Sequence, residues 1–238
     1  IPVVYSRLKY RAMPYYVYSY ILVGANDLDE FDSDILSDEQ RFGNLVYKEV
    51  EYIFGMKNIP AFKDEEFISS PKNYMISLNF QLSTIHSPQG GTREIMSKWP
   101  QLCNDLLKSE EFGKYINDSE KRGKKILPDM GIENLSQEEK LKAITLYVKS
   151  MDNWNGECRR YVSDKLSVFI NKKTGSSADI NLYLTGLLRA AGLDVYPILM
   201  STRDNGAISK LHPFESFFNY VVAMVTIDGK RYFIDATE

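Results

Sequence analysis

The stretch from Thr174 to Gly192 constrains this chain more than any other. It reads Thr174-Gly175-Ser176-Ser177-Ala178-Asp179, followed by Ile180, Tyr183, Leu184, Leu187, Leu188 and Ala191 at three- and four-residue spacing, with Gly192 as a stop. Hydroxyl side chains ahead of an apolar helical stripe can accept bonds from the unpaired N–H groups of a first turn. The pattern predicts a tight glycine turn opening a buried helix that ends at Gly192. The first turn of such a helix favours anions and lowers the pKa of a thiol placed on it. A nucleophile placed there would be activated, so the side chain at that spot decides the chemistry.

Composition narrows the classes. The 238 residues carry 29 basic and 32 acidic side chains, a balance of −3 that gives no footprint for nucleic acid. Hydrophobic residues make up 44%, enough to bury a core and to exclude a disordered chain. Cys103 and Cys158 fit no metal spacing; they form one disulfide or two buried thiols, and the buried thiols are favoured. Two histidines, His86 and His212, leave little for a histidine metal site, and no metal or cofactor is expected. No signal peptide or membrane-spanning run is visible. Beginning at Ile1-Pro2 and stopping after Asp235-Ala236-Thr237-Glu238, the chain reads as a piece of a longer protein.

Residues 1 to about 92 read as β-structure, with strands over 15–23, 45–54 and 74–82. The acidic stretch 26–40 lacks the glycine of a calcium loop and reads as a solvated loop. From Thr92 the pattern turns helical through Ile95, Trp99, Leu102, Leu106 and Leu107, and Phe112, Tyr115 and Ile116 extend it. Lys121–Lys125 reads as a basic loop, and Ser136-Gln137-Glu138-Glu139 as a capping box opening a helix that ends near Trp154-Asn155-Gly156. Val195–Thr202 reads as a strand, 207–216 as a loop, and Tyr220–Ile227, Asp228-Gly229, Lys230–Asp235 as a hairpin with a type I′ turn.

Taken together, Gly175-Ser176-Ser177-Ala178-Asp179, the helix end Leu187-Leu188-Arg189-Ala190-Ala191-Gly192, Phe218-Asn219-Tyr220 and Asp235-Ala236-Thr237 resemble the transglutaminase-like superfamily, a papain-like cysteine-nucleophile fold. Trp154-Asn155 stands where that family often carries a Trp. The resemblance covers roughly residues 136 to 238. The first half, with Asn58-Ile59-Pro60-Ala61-Phe62-Lys63-Asp64-Glu65, resembles the β-rich domain that precedes such modules in bacterial extracytoplasmic proteins. The resemblance implies an α+β protein: a β-rich, sandwich-like domain over 1–92, incomplete at its start, and a papain/transglutaminase-like domain over 93–238, truncated at its C-terminal edge, whose helices pack on an antiparallel sheet.

In active relatives the turn reads Gly-x-Cys-x-Asp, a His follows on the next strand, and an Asp stands in Asp-x-Thr. These positions are Ser177, Tyr220 and Asp235 here. Counting outward from the Asp228-Gly229 turn places Tyr220 on the face of Asp235 and Asn219 on the other. A serine hydroxyl needs a strong neighbouring base, and a tyrosine of ordinary pKa about 10 has almost no basic form at neutral pH. The three positions therefore read as an inactive triad in which Tyr220 donates to Asp235, and the chain as a pseudoenzyme. Ser176, Asp179, Trp154 and Asn219 border the cleft as candidate binding residues, though Ser176 and Ser177 equally suit helix capping, and Asp179 suits the helix dipole. A Cys158–His212 pair lies outside the family positions.

The expected function is a non-catalytic binding or structural module of a larger bacterial cell-envelope protein, extracytoplasmic, with a peptide, a glycan or another envelope protein as partner. The alternatives are a peptide hydrolase or acyltransferase using Ser177, and a plain spacer whose cleft is plugged by Tyr220.

Overall fold

The computed structural model describes residues 1–63, 65–95, 98–151, 153–209 and 213–237. His212 lies outside them, so the Cys158–His212 pairing does too. The chain is mixed α and β, and its three-stranded sheets are antiparallel throughout. It divides into two compact units: Ile1–Trp99 with Arg203–Phe214, and Pro100–Thr202 with Glu215–Glu238.

Among its described residues the first unit holds six strands: β1 (Val3–Ala12), β2 (Tyr16–Val23), β3 (Glu30–Phe42), β4 (Leu45–Ile59), β5 (Ser77–His86) and β6 (Thr92–Glu94). They form two sheets in the orders β1-β4-β3 and β2-β5-β6. Period-2 patterning turns aromatic rings of both sheets towards each other. Tyr10 of β1 lies 5.4 Å from Tyr18 of β2, and Phe54 of β4 lies 5.2 Å from Tyr20 and 5.4 Å from Phe80 of β5, edge to face. That geometry is the one the ring quadrupole favours.

Two expectations fail here. The acidic stretch is not a loop: residues 30–42 form the edge strand β3, joined to β4 by the two-residue turn Gly43-Asn44. Asp32, Asp34, Asp38 and Glu39 are solvated as expected, but on a strand, where charge discourages a further chain from pairing with the open edge. The helical stripe from Thr92 also starts too early, because Thr92–Glu94 pairs with β5. The expected turn Arg203-Asp204-Asn205-Gly206 and the start of the expected loop 207–216 are held within this unit: Ser70 Oγ donates to Asp204 O at 3.0 Å, and Ala207 N donates to Asn73 Oδ1 at 2.6 Å.

The second unit runs α1 (Trp99–Lys108), a π-turn (Glu110–Lys114), α2 (Tyr115–Ile126), α3 (Gln137–Met151), β7 (Asn153–Trp154), α4 (Leu166–Lys172), β8 (Thr174–Gly175), α5 (Ser177–Ala190), β9 (Asp194–Met200), β10 (Tyr220–Ile227) and β11 (Lys230–Ile234). Lys121–Lys125 is helix rather than loop. Its lysines pair one turn back, Lys121 with Asp118 and Lys124 with Glu120, which supports the helical face. The capping box at Ser136 forms: Ser136 N donates to the Glu139 carboxylate at 2.9 Å and Glu139 N to Ser136 Oγ at 3.3 Å.

Helix α5 is the core of this unit. Every residue from Ser177 to Leu188 is buried, and Gly192 ends the helix with φ +79°. A helix buried on all sides must be enclosed; α2 and α3 pack against it, as do strands β9 and β10 of the sheet. Burying Ile180, Leu182, Leu184, Leu187 and Leu188 contributes about 1.5–3 kcal/mol each. In the hairpin Ile227 faces Lys230 and Ala223 faces Ile234, and both turn residues, Asp228 and Gly229, have positive φ as a type I′ turn requires.

Candidate functional site

The site is built on the tip of α5. Gly175 precedes it because space is absent: a Cβ there would lie 2.7 Å from Asp179 Cβ and 2.8 Å from the Phe169 ring. Ser176 is the N-cap. Its Oγ accepts from Asp179 N at 3.4 Å, while Asp179 Oδ2 accepts from Ser176 N at 2.9 Å and from Ser176 Oγ at 2.6 Å. The other Asp179 oxygen accepts from Ser163 N at 3.0 Å and Asp164 N at 3.3 Å. Ser176 and Asp179, taken as candidate binding residues, are thus buried and saturated by the protein's own groups.

Ser177 does not cap the helix. It is fully buried, and its hydroxyl closes a two-way link with the main chain of one residue: Oγ donates to Arg159 O at 3.0 Å and accepts from Arg159 N at 2.9 Å. Ser177 N donates to Glu157 O at 3.0 Å, and the same carbonyl receives Trp154 Nε1 at 3.1 Å. Trp154 itself is held by β7, which pairs in parallel with β8. Glu157–Arg159 is therefore laid across the helix tip and fastened to it. Further along, Arg160 Nη1 donates to Phe218 O at 3.0 Å and its guanidinium lies 5.0 Å from the Tyr161 ring centroid. Tyr161 donates to Glu215 at 2.6 Å, and burial, then that bond, push its hydroxyl up to about 12.

Tyr220 and Asp235 meet on one face of the hairpin. The Tyr220 hydroxyl lies 2.8 Å from Asp235 Oδ2 and 2.8 Å from Thr237 Oγ1. Asp235 Oδ1 accepts from Asn181 Nδ2 at 2.9 Å, Thr237 N at 3.0 Å and Thr237 Oγ1 at 2.8 Å. Burial raises the Tyr220 phenol well above its ordinary value; the Thr237 hydroxyl works against that and the Asp235 carboxylate adds to it. Burial also works to raise Asp235, but the bonds from Asn181, Thr237 and Tyr220 outweigh it and hold the carboxyl below its usual range. The Tyr220 hydroxyl thus donates to the Asp235 carboxylate, and both shifts favour keeping the proton on the phenol.

Asn181 is the residue that sequence reasoning missed. It lies one turn beyond Ser177 on α5 and is fully buried. Its Nδ2 donates to Val221 O at 3.0 Å and to Asp235, and its Oδ1 accepts from Ala236 N at 2.9 Å. Helix, strand β10 and the turn after β11 are joined through this one amide. The available signal was a carboxamide set between the apolar residues Ile180 and Leu182. Thr237, the last residue of Asp-x-Thr, completes the Asp235 cage. Asn219, taken as a candidate binding residue, instead fastens the end of β9: its Oδ1 accepts from Thr202 N and its Nδ2 donates to Thr202 Oγ1, both at 2.9 Å.

The thiols differ from expectation: Cys103 and Cys158 are not bridged to each other, and both are exposed rather than buried. Among the described residues no group of three or more His, Cys, Asp or Glu side chains could hold a metal ion, and no helix is long and apolar enough to cross a membrane.

No protein-family model matches the sequence, and no curated protein matches it. Among solved structures, a "putative protease" from Parabacteroides distasonis is similar at a TM-score of 0.64 and 15% identity, over 99% of this chain and 41% of that one. A "putative cysteine protease" from Cytophaga hutchinsonii aligns over 98% of this chain and 75% of that one, at a TM-score of 0.37 and 15% identity. The chain thus spans 41% of the length of the Parabacteroides protein and shares its fold.

Proposed function

We propose that this chain is a non-catalytic, transglutaminase-like module of a larger bacterial cell-envelope protein, lying outside the cytoplasm, in which the three triad positions have become structural. The observation that carries this reading is Ser177. Its hydroxyl is buried, and both its proton and an accepting lone pair are engaged by the Arg159 main chain. A nucleophile must present its oxygen to substrate and pass its proton to a base. Among the described residues the Ser177 hydroxyl is hydrogen-bonded to main chain and to no side-chain base, and the residue at the family's base position, Tyr220, is a phenol whose proton is held more tightly than usual. The same geometry argues against a hydrolase or acyltransferase working through Ser177.

The test is turnover. The full chain, incubated with a glutamine peptide and a primary amine, or with unblocked peptides, is expected to give neither amine incorporation nor cleavage by mass spectrometry. A fluorophosphonate probe is expected to leave the intact mass unchanged. Turnover that disappears in Ser177→Ala would refute the proposal.

A further inference from the structure

Within the second unit, α2 and the segment leading into α4 face each other across a cavity of about 810 Å³. That volume suits a small molecule or a short peptide. One wall carries a stripe at four-residue spacing, Glu110, Lys114, Asp118 and Arg122; the other carries Val162, Ser163, Leu166, Ser167 and Ile170. The second wall does not drift, because Val162 N is bonded to Glu111 O at 3.2 Å and the Ser163 and Asp164 amides are bonded to Asp179.

Most of the charge around the cavity is already matched. Lys114 pairs with Glu110 at 2.6 Å, Lys121 with Asp118 at 2.9 Å, and Lys172 with Asp164 at 2.7 Å. Glu111 and Lys165 also line the cavity, and Lys165 adds to the Lys114 contact that holds the Glu110 carboxyl below its usual range. Arg122, at the other end of the stripe, has no ion pair among the described residues, and its Nε is buried with no hydrogen-bond partner. A guanidinium that borders a cavity with no carboxylate partner of its own draws an anion there. The planar fork of Arg matches a carboxylate with two parallel bonds.

We propose that this cavity binds an extended peptide by its free C-terminal carboxylate, which Arg122 receives, with Leu166 and Ile170 beneath the peptide's apolar side chains. This extends the reading of a non-catalytic module and rests on it. The length follows from the wall. Arg122 lies eleven positions after Glu111, through the π-turn and into α2, roughly 15 Å, the span of four to five extended residues. Ser163 and Ser167 also line the cavity. A peptide is favoured over an acidic sugar chain because the ring that lines the cavity, Tyr115, is only 4% exposed and offers no face for a sugar to stack on.

The experiment titrates the full chain with acetyl-Ala-Leu-Ala-Leu-Ala as free acid and as C-terminal amide, followed by calorimetry and by mass spectrometry of the peptide. The free acid is expected to bind, and the amide at least tenfold more weakly. Arg122→Gln is expected to lose the same factor while keeping its melting temperature, since it deletes a buried unpaired N–H; Arg122→Lys keeps part of the affinity. Equal binding of acid and amide, wild-type affinity in Arg122→Gln, or no saturation by roughly 10 mM overturns the proposal. So does binding of trigalacturonate with none of the peptide. Cleavage of the peptide that Ser177→Ala abolishes overturns the proposed function and this inference with it; absent binding without cleavage overturns this inference alone.

Discussion

Replacing Ser177 by Ala separates a structural serine from a catalytic one. The hydroxyl contributes two hydrogen bonds to the Arg159 main chain, at 2.9 and 3.0 Å. A net hydrogen bond is worth about 0.5–1.5 kcal/mol, and a buried partner left unpaired costs more. Arg159 itself is exposed, so water can reach its amide and carbonyl once the hydroxyl is gone, and the loss falls near the middle of the range for two bonds, about 2 kcal/mol. With a urea m-value of about 2 kcal/mol/M, the midpoint shifts down by about 1 M. The assay needs a probe of the second unit alone. A Trp99→Phe background leaves Trp154 as the single indole, and its N–H is bonded to Glu157 O beside the link being cut. Wild-type and Ser177→Ala midpoints are compared in that background. An unchanged or raised midpoint would refute the argument, because active-site serines held for chemistry rather than stability are typically neutral or costly to the fold.

Three further outcomes follow from named contacts. Asn181→Ala strips partners from Val221 O, Ala236 N and Asp235 at a fully buried site, and is expected to cost about 3 kcal/mol or more, with faster hydrogen exchange at the Ala236 amide. Tyr220→Phe removes one of the bonds that depress the Asp235 carboxyl. The native state binds that proton less readily than the unfolded chain, so the carboxylate's contribution is complete above its unfolded value of about 3.9 and is lost as pH falls through the lower folded value. The variant's acid unfolding midpoint is expected to move to higher pH, and an unmoved midpoint would show that Tyr220 does not tune Asp235. Gly186→Ala would place a methyl 2.3 Å from Ser119 Cβ and 2.6 Å from Ile116 O, where α2 crosses α5. A loss of at least about 2 kcal/mol is expected in thermal melts.

The parts of the fold legible in the sequence were those specified by short-range signals. The α5 helix announced itself by hydroxyls at one end, a glycine at the other and an apolar stripe between them. The hairpin did so by Asp228-Gly229, from whose register the Tyr220–Asp235 contact could be counted. The failures had two origins. Some signals were present and outweighed by composition: Gly43-Asn44 is a two-residue turn signal, yet the acidity of 26–40 argued for a loop, when acidity reports solvation and an edge strand is solvated. The Asp118–Lys121 and Glu120–Lys124 spacings likewise marked Lys121–Lys125 as helix.

The site divides in the same way. Residue identity alone settled that Ser177, Tyr220 and Asp235 lack a thiol and an imidazole, because nucleophilicity and proton affinity belong to the functional group before any contact is made. What each group is used for came only from packing. Ser177 could have been an open hydroxyl; it is closed because Glu157–Arg159 arrives from outside the helix and satisfies it. Asn181 could have been a surface carboxamide on an imperfect stripe; it is a junction because β10 and the turn after β11 bring three polar groups to it. Local propensity and chemistry are written along the chain, but a hydrogen bond needs two partners. Where those partners are tens of residues apart, the folded arrangement alone decides which pair forms.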